Sequence, residues 1–407
     1  MNDIPHESRT GRAVPRGLAQ TGPVLFSYGF RPFFLGAGIW AIAAMALWIA
    51  ALVFGWPIGG DYGAPHWHAH EMLFGFAPAV LAGFLMTAVP NWTGRLPVSG
   101  PPLMVLFSIW VAGRIAMLSP DLLGVPLAAA IDALFLPALL FINAREIIAG
   151  RKWRDLKVLG GLAALALANI FFHRMVIIGV HNGFADRLAV SAYVMLIMII
   201  GGRIVPSFTR NWLNKAGRTV FPVPFNRFDS VAITFGGVAL AAWIFEPIHP
   251  LTAVAAALAA GLHVARLSRW RGWETWAEKL LVILHIGYAF VPLGFLGIAL
   301  GATGLIGDFS VLHILTVGAI GVMMLAVITR VTRGHTGRQL SASTTTALSY
   351  LSLILAAILR PLADLLPDFY EPMLAAAGIA WIAAFGLFIL EHGPMLLTVR
   401  RTPLASR

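Results

Sequence analysis

The chain has 407 residues, 58% of them hydrophobic and 12% charged, and it has no cysteine. Soluble proteins carry roughly 25% charged residues, so this composition excludes a soluble fold and describes a polytopic membrane protein. The net charge of +11 does not mark a nucleic-acid binder, because the basic residues fall in alternate short loops, the orientation signal of membrane proteins.

Without cysteine there are no disulfides, iron–sulfur clusters, thiolate metal sites or C-x-x-C-H haem attachments. A metal would be held by His, Met, carboxylate, Tyr or backbone, and a haem would be held non-covalently. The start "RTGRAVPRG" lacks an apolar core with a small-residue cleavage site, so no cleavable signal peptide is expected.

A spanning helix needs about 20 mostly apolar residues, and about twelve such stretches follow one another. A cytoplasmic tail (1–31) with Arg9, Arg12 and Arg16 precedes a first span near 32–55. The loop "GWPIGGDYGAPHW" is poor in Lys and Arg, and the second span, near 68–90, opens on "WHAHEM" and ends in "NWTGR". Spans near 101–119 and 123–143 flank "SPDLLG"; in the second of these Asp132 is an isolated acid at depth, either a relay residue or the partner of an interior Arg. A basic loop leads to the fifth span, near 157–180, and the sixth, near 187–207, ends in "GRIVPSFTRN". The seventh, near 230–245, is short and either stands alone or fuses with the eighth, near 250–267, into a hairpin. The ninth, near 277–300, holds "LHIGY", and the tenth, near 308–330, runs into "TRVTRGHTGR". The last two lie near 344–366 and 373–398, before a tail at 399–407. Basic and base-poor loops alternate throughout, which places both termini in the cytoplasm, and the even helix count agrees. The expectation is a single all-α transmembrane domain over 1–407. Spans two, six and ten end alike, at a spacing of four helices, which suggests three four-helix units. The competing explanation is that any helix running inward ends in basic and Thr/Pro residues.

This topology assigns depths to the histidines. His66, His68 and His70 start the second span, His173 lies in the outer half of the fifth, and His313 lies one to two turns inside the tenth. His285 is deeper, in the ninth. His181 and His249 fall in outer loops, His263, His335 and His392 near the inner face, and His6 in the tail. Polar side chains within a membrane usually face the bundle interior and serve a function. A lone buried His is more often structural, but several at one depth point to metal or haem. Residues two apart on a helix point about 200° apart, so His68 and His70 serve two different environments rather than one ion. His66 and His70 would converge only if the helix began earlier, and "GAPHW" reads as loop.

Glu71 follows His68 by three residues and is a candidate acceptor orienting that ring, or a proton carrier. Its plain role is an acid at a helix N-terminus. Tyr288 follows His285 by three and is a candidate donor of a proton or electron, or else a hydrogen-bonded core tyrosine. Arg203 and Arg330, at inner helix ends, are candidate partners of haem propionates or anionic groups, or else positive-inside anchors. Arg174, beside His173, either snorkels outward or pairs with an anion. "GHTGR" lacks the P-loop spacing and reads as a turn, and Met323 and Met324 read as core filler.

The blocks "WHAHEMLFGFAPAVLAGFLMTAVPNWTGR", "GGRIVPSFTRN", "LHIGYAFVPLGFLGIAL" and "HILTVGAIGVMMLAVITRVTRGHTGR" resemble the signature of the NnrS family of bacterial inner-membrane proteins. The resemblance implies a twelve-helix protein of the bacterial inner (cytoplasmic) membrane with haem b and copper as cofactors. It also implies a role in the nitric oxide response, in denitrification or in protection against nitrosative stress. It carries over His68, His70, His285, His313 and His335 as metal ligands. His173 lies outside the blocks and joins them on depth alone. Which histidine binds which cofactor stays open. The partners implied are nitric oxide, the lipid bilayer and an electron donor that the sequence does not name; no nucleic acid is expected. Three functions compete: redox conversion of nitric oxide at an outer-leaflet metal site, non-catalytic binding of haem, copper or nitric oxide, and transport of a metal or small anion past His and Arg. The helix count and the repeat are like those of haem–copper oxidases at the level of fold only, and no block matches the oxidase ligand motifs.

Overall fold

A computed structural model of the chain describes residues 21–180 and 182–401. His6, Arg9, Arg12 and Arg16, His181, and residues 402–407 of the C-terminal tail lie outside the described residues. The described residues form helices and no strand. Twelve helices are long and apolar enough to cross a membrane: α1 Phe30–Phe54, α2 Ala64–Thr93, α3 Pro101–Leu118, α4 Val125–Ala149, α5 Trp153–Ile177, α6 Phe184–Lys215, α7 Arg227–Phe245, α8 Pro250–Glu274, α9 Lys279–Ala302, α10 Asp308–His335, α11 Thr344–Leu365 and α12 Pro367–Leu397. A helix satisfies its own backbone, which a bilayer cannot do. Large apolar side chains can therefore face outward, as Ile39, Val105, Phe141, Leu258, Leu351 and Leu390 do.

Every helix packs on the next, and α12 packs on α1, which closes a ring. Arg31 secures the closure from a buried position on α1. Its guanidinium donates to the carbonyls of Leu396 (2.6 Å) and Thr398 (2.8 Å), oxygens that the end of α12 would otherwise leave unpaired.

Three helices stand inside the ring. α2, α6 and α10 touch one another, and α2 is the most buried of the twelve. Each contains a π-helical segment: Glu71–Phe76, Ile197–Gly201 and Ile314–Gly321. Such widened turns free backbone carbonyls from the regular ladder and collect at functional sites. Neighbouring side chains take up two of these carbonyls. Trp110 of α3 donates to Gly75 O and Tyr193 of α6 to Leu73 O, both at 2.9 Å. The π segments recur at every fourth helix, so the ring divides into α1–α4, α5–α8 and α9–α12, each contributing one inner helix.

Some boundaries differ from the sequence expectation. α7 and α8 are separate spans joined by a short turn. α2 begins at Ala64, because Gly63 at φ 83° permits a sharp entry and Pro65 suits a first turn. His66 is therefore in the helix and not in a loop. α6 and α10 run on to Lys215 and His335, so their basic ends remain helical.

Candidate metal centre

The charged centre is built where the π segment of α2 begins. His70 and Glu71 come from α2, Arg114 from α3, Asp132 from α4, and Asn169 and His173 from α5. Glu71 and His70 are 0% exposed, Asp132 2% and His173 4%. Arg114 reaches both carboxylates, donating through Nη1 to Glu71 and through Nη2 to Asp132. Trp40 of α1 adds a bond to Glu71 Oε2 at 2.7 Å. The approach is close enough to demand glycine. A Cβ at Gly75 would stand 2.3 Å from Arg114 Nη1, and one at Gly113 would stand 2.9 Å from Asp132 Oδ1.

His70 lies between the two acids. Its Nδ1 is 2.9 Å from Glu71 Oε1, and its Nε2 is 3.1 Å from both Asp132 Oδ2 and Asn169 Oδ1. His173 Nε2 is 3.0 Å from the same Asp132 oxygen, and Asn169 Nδ2 donates to it at 2.9 Å. Behind His173, the Tyr62 hydroxyl sits 3.0 Å from Nδ1. Tyr62 lies in the loop before α2, and burial, with Glu71 second, pushes its phenol well above the ordinary value, so it stays protonated; the His173 tautomer decides which of the two donates. Two carboxylates face one guanidinium, a surplus of one negative charge in a buried place. Such a charge must be balanced by a cation or a proton. The oxygens on both sides of His70 call for a proton on each ring nitrogen, or for a cation on the Nε2 side. The ligand atoms of His70, Asp132 and His173 all lie within 4.8 Å of one another, spacing that suits one metal ion.

His68 faces away, as a two-residue offset requires. It stacks on Trp48 of α1 with ring centroids 4.6 Å apart. Its Nδ1 is buried without a hydrogen-bond partner among the described residues. His313, near the start of α10, and Arg360, near the end of α11, lie at the same end of the bundle. His313 donates from Nδ1 to Phe309 O at 2.6 Å, which fixes its tautomer and leaves Nε2 as its ligand atom. Arg360 is held by Asp364 at 3.0 Å.

The chain matches the family described as "NnrS protein" over residues 24–400. It belongs to the NnrS family. That membership points to a role in the nitric oxide response. No curated protein matched the chain.

The residues of the NnrS blocks do not all converge. Glu71 serves His70 and not His68, because from Glu71 onward the helix widens and the three-residue rule of a regular helix no longer sets its face. His285 is bonded through Nε2 to Thr209 Oγ1 at 2.9 Å; that hydroxyl itself donates to Val205 O, so His285 is the donor. Tyr288 meets His263 and Arg266 rather than His285. Arg266 donates to its oxygen at 2.6 Å. His263 Nε2 donates to Ala232 O, so the phenol donates to His263 Nδ1 at 2.9 Å. His335 sits between the rings of Tyr28 and Phe30, with centroids 5.3 and 5.6 Å away. None of these joins the group around Asp132.

The arginines also find local roles. Arg203 pairs with Asp155 at 2.7 Å and covers Trp92. Arg330 lies 4.2 Å over the ring of Phe208. Arg174 is exposed at the end of α5 and makes no bond to an acid among the described residues. Sequence reading overlooked Arg114, Asn169, Tyr62 and Trp40. Arg114 did carry a signal: "IWVAGRIAML" puts a cation at the end of a helix where positive charge is otherwise scarce.

Proposed function

We propose that this chain holds copper at His70, His173 and Asp132 and haem b at His68 and His313, and that it converts nitric oxide at this end of the bundle. The observation that carries the reading is the buried convergence of ligand atoms from His70, Asp132 and His173. Two imidazoles and a carboxylate are donors that suit copper. Glu71 and Tyr62 hold the two imidazoles from behind, which is what metal-binding histidines require. For haem, His68 offers a nitrogen that nothing else engages. His313 offers Nε2 against a fixed Nδ1, and Arg360 is a cation suited to a propionate. When bound, haem iron and copper supply a place for nitric oxide to bind and for electrons to reach it.

The chain's own part is to position and to balance charge. Arg114 donates to both carboxylates and holds them apart. Glu71 turns His70 so that Nε2 faces Asp132. With the metal held at Nε2 of both histidines, Tyr62 and Glu71 stay bonded to the opposite ring nitrogens, His173 Nδ1 and His70 Nδ1, and Tyr62 is the proton-bearing group nearest the loop before α2.

Optical spectra of the purified protein, oxidised and reduced, together with metal analysis, test the cofactors. The expected result is haem b and copper in the native chain, copper lost with haem kept in His173→Ala, and the reverse in His68→Ala. Full copper in His173→Ala would reject the assignment. Anaerobic consumption of nitric oxide with an artificial electron donor, absent in His70→Ala, tests turnover; nitric oxide bound but not consumed would leave a binding protein instead of an enzyme.

A further inference from the structure

The three inner helices surround an apolar shaft on the axis of the ring, with a cavity of about 70 Å³. Its walls include Val80 and Phe84 of α2, Ile200 and Ile204 of α6, and Met323 and Val327 of α10. No charged residue lines it. Its hydroxyl, on Tyr193, is spent on Leu73 O. From Tyr193 to Ile204 the lining follows α6 for about 16 Å, at about 1.5 Å per residue.

The upper end of the shaft stops at Tyr193, short of the metal centre. Tyr193 closes it by bonding to Leu73 within the π segment that starts at Glu71. The next residue, Phe74, has its ring 5.4 Å from that of His70. At the other end the wall residues Phe84, Ile204 and Val327 are only half-buried, so the shaft opens there.

We propose that this shaft binds a small uncharged diatomic gas and leads it to the His70 centre. The identity of the gas as nitric oxide rests on the function proposed above. Size selects the occupant: a water-sized molecule needs about 10–15 Å³ of such space, so the shaft takes a few diatomic molecules and excludes a macrocycle, a quinone ring or a lipid chain. Chemistry selects it too. Apolar cavities stay dry and accept neutral guests such as xenon, while ions and protons find no partner on these walls. On this proposal Tyr62 approaches the centre from the polar loop before α2, and the gas approaches it past Tyr193 and Phe74 from the apolar side.

Gly201 gives the means to test this. It lines the shaft, and a Cβ built there meets nothing closer than 3.6 Å, so a larger side chain can enter the space. Crystals of the full chain under xenon pressure should show xenon between Ile200 and Met323, and Gly201→Leu should abolish it. In stopped-flow mixing, Gly201→Leu should bind nitric oxide several-fold more slowly, with haem and copper contents unchanged. Val327→Phe fills the same shaft from α10 and should slow binding in the same way, which keeps the test open where Gly201→Leu does not fold. Ordered water or lipid in the shaft, or no xenon there, overturns the site. Xenon entry with an unchanged nitric oxide rate in both variants overturns the route. Xenon entry in a protein that binds no nitric oxide upholds the gas site and rejects nitric oxide as its guest.

Discussion

Arg114 makes it possible to bury Glu71 and Asp132 together. Both acids face its guanidinium, and removing one partner of a buried ion pair costs about 3–5 kcal/mol. Arg114→Met should therefore lower the thermal midpoint in detergent sharply. Arg114→Lys should recover only part of the loss, because an ammonium lacks the fork that spans two carboxylates. A midpoint unchanged in Arg114→Met would show that the acids are neutral. Gly75→Ala should disturb the same contact from the backbone side, since its methyl would stand 2.3 Å from Arg114 Nη1 and 2.7 Å from Glu71 Oε2; the readout is copper content alongside stability. Two histidines make a further contrast. His313→Ala should lose haem. His249→Ala should keep it, because His249 only caps the start of α8, accepting from Leu251 N at 3.1 Å. Equal haem in both would defeat the assignment of His313.

At the scale of elements, the π segment of α2 does what a regular helix could not. It turns Glu71 toward α1 and α3, and it presents Leu73 O and Gly75 O to side chains of other helices. A buried carbonyl that loses its donor costs about 1–3 kcal/mol. Tyr193→Phe and Trp110→Phe should each destabilise by that order, and the double variant should depart from additivity, because both donors brace one segment. Additive losses, read from thermal or denaturant unfolding, would mean that the segment does not move as a unit. This feature was not legible in the sequence. A π turn changes the face of later residues without changing hydropathy, so the span was visible and the direction of Glu71 was not.

For the whole molecule, the bundle of twelve helices, three of them inside, places polar groups from five consecutive helices around one point. Loop charge predicts its orientation, with both termini in the cytoplasm. A phosphatase reporter inserted in the α7–α8 turn should be active, and a fluorescent reporter at the C-terminus should fold and glow. The opposite pattern would invert the bundle. The count of twelve spans was legible because it is a local property of hydrophobic length, while the recurring helix ends allowed a four-helix period without deciding it. The grouping of His70 with His173 was anticipated from depth alone. The exclusion of His285, Tyr288 and His335 was not, because depth along a helix says nothing about which neighbour a face meets.

The sequence by itself determined a membrane protein, its helices, the NnrS membership and the separation of His68 from His70, since composition, periodicity and short blocks are written residue by residue. Only the tertiary structure decided that Arg114 joins Glu71 to Asp132, that Tyr62 stands behind His173, and that an apolar cavity lies between α2, α6 and α10. Those contacts join residues far apart in the chain, and their energies depend on which helices the ring sets side by side.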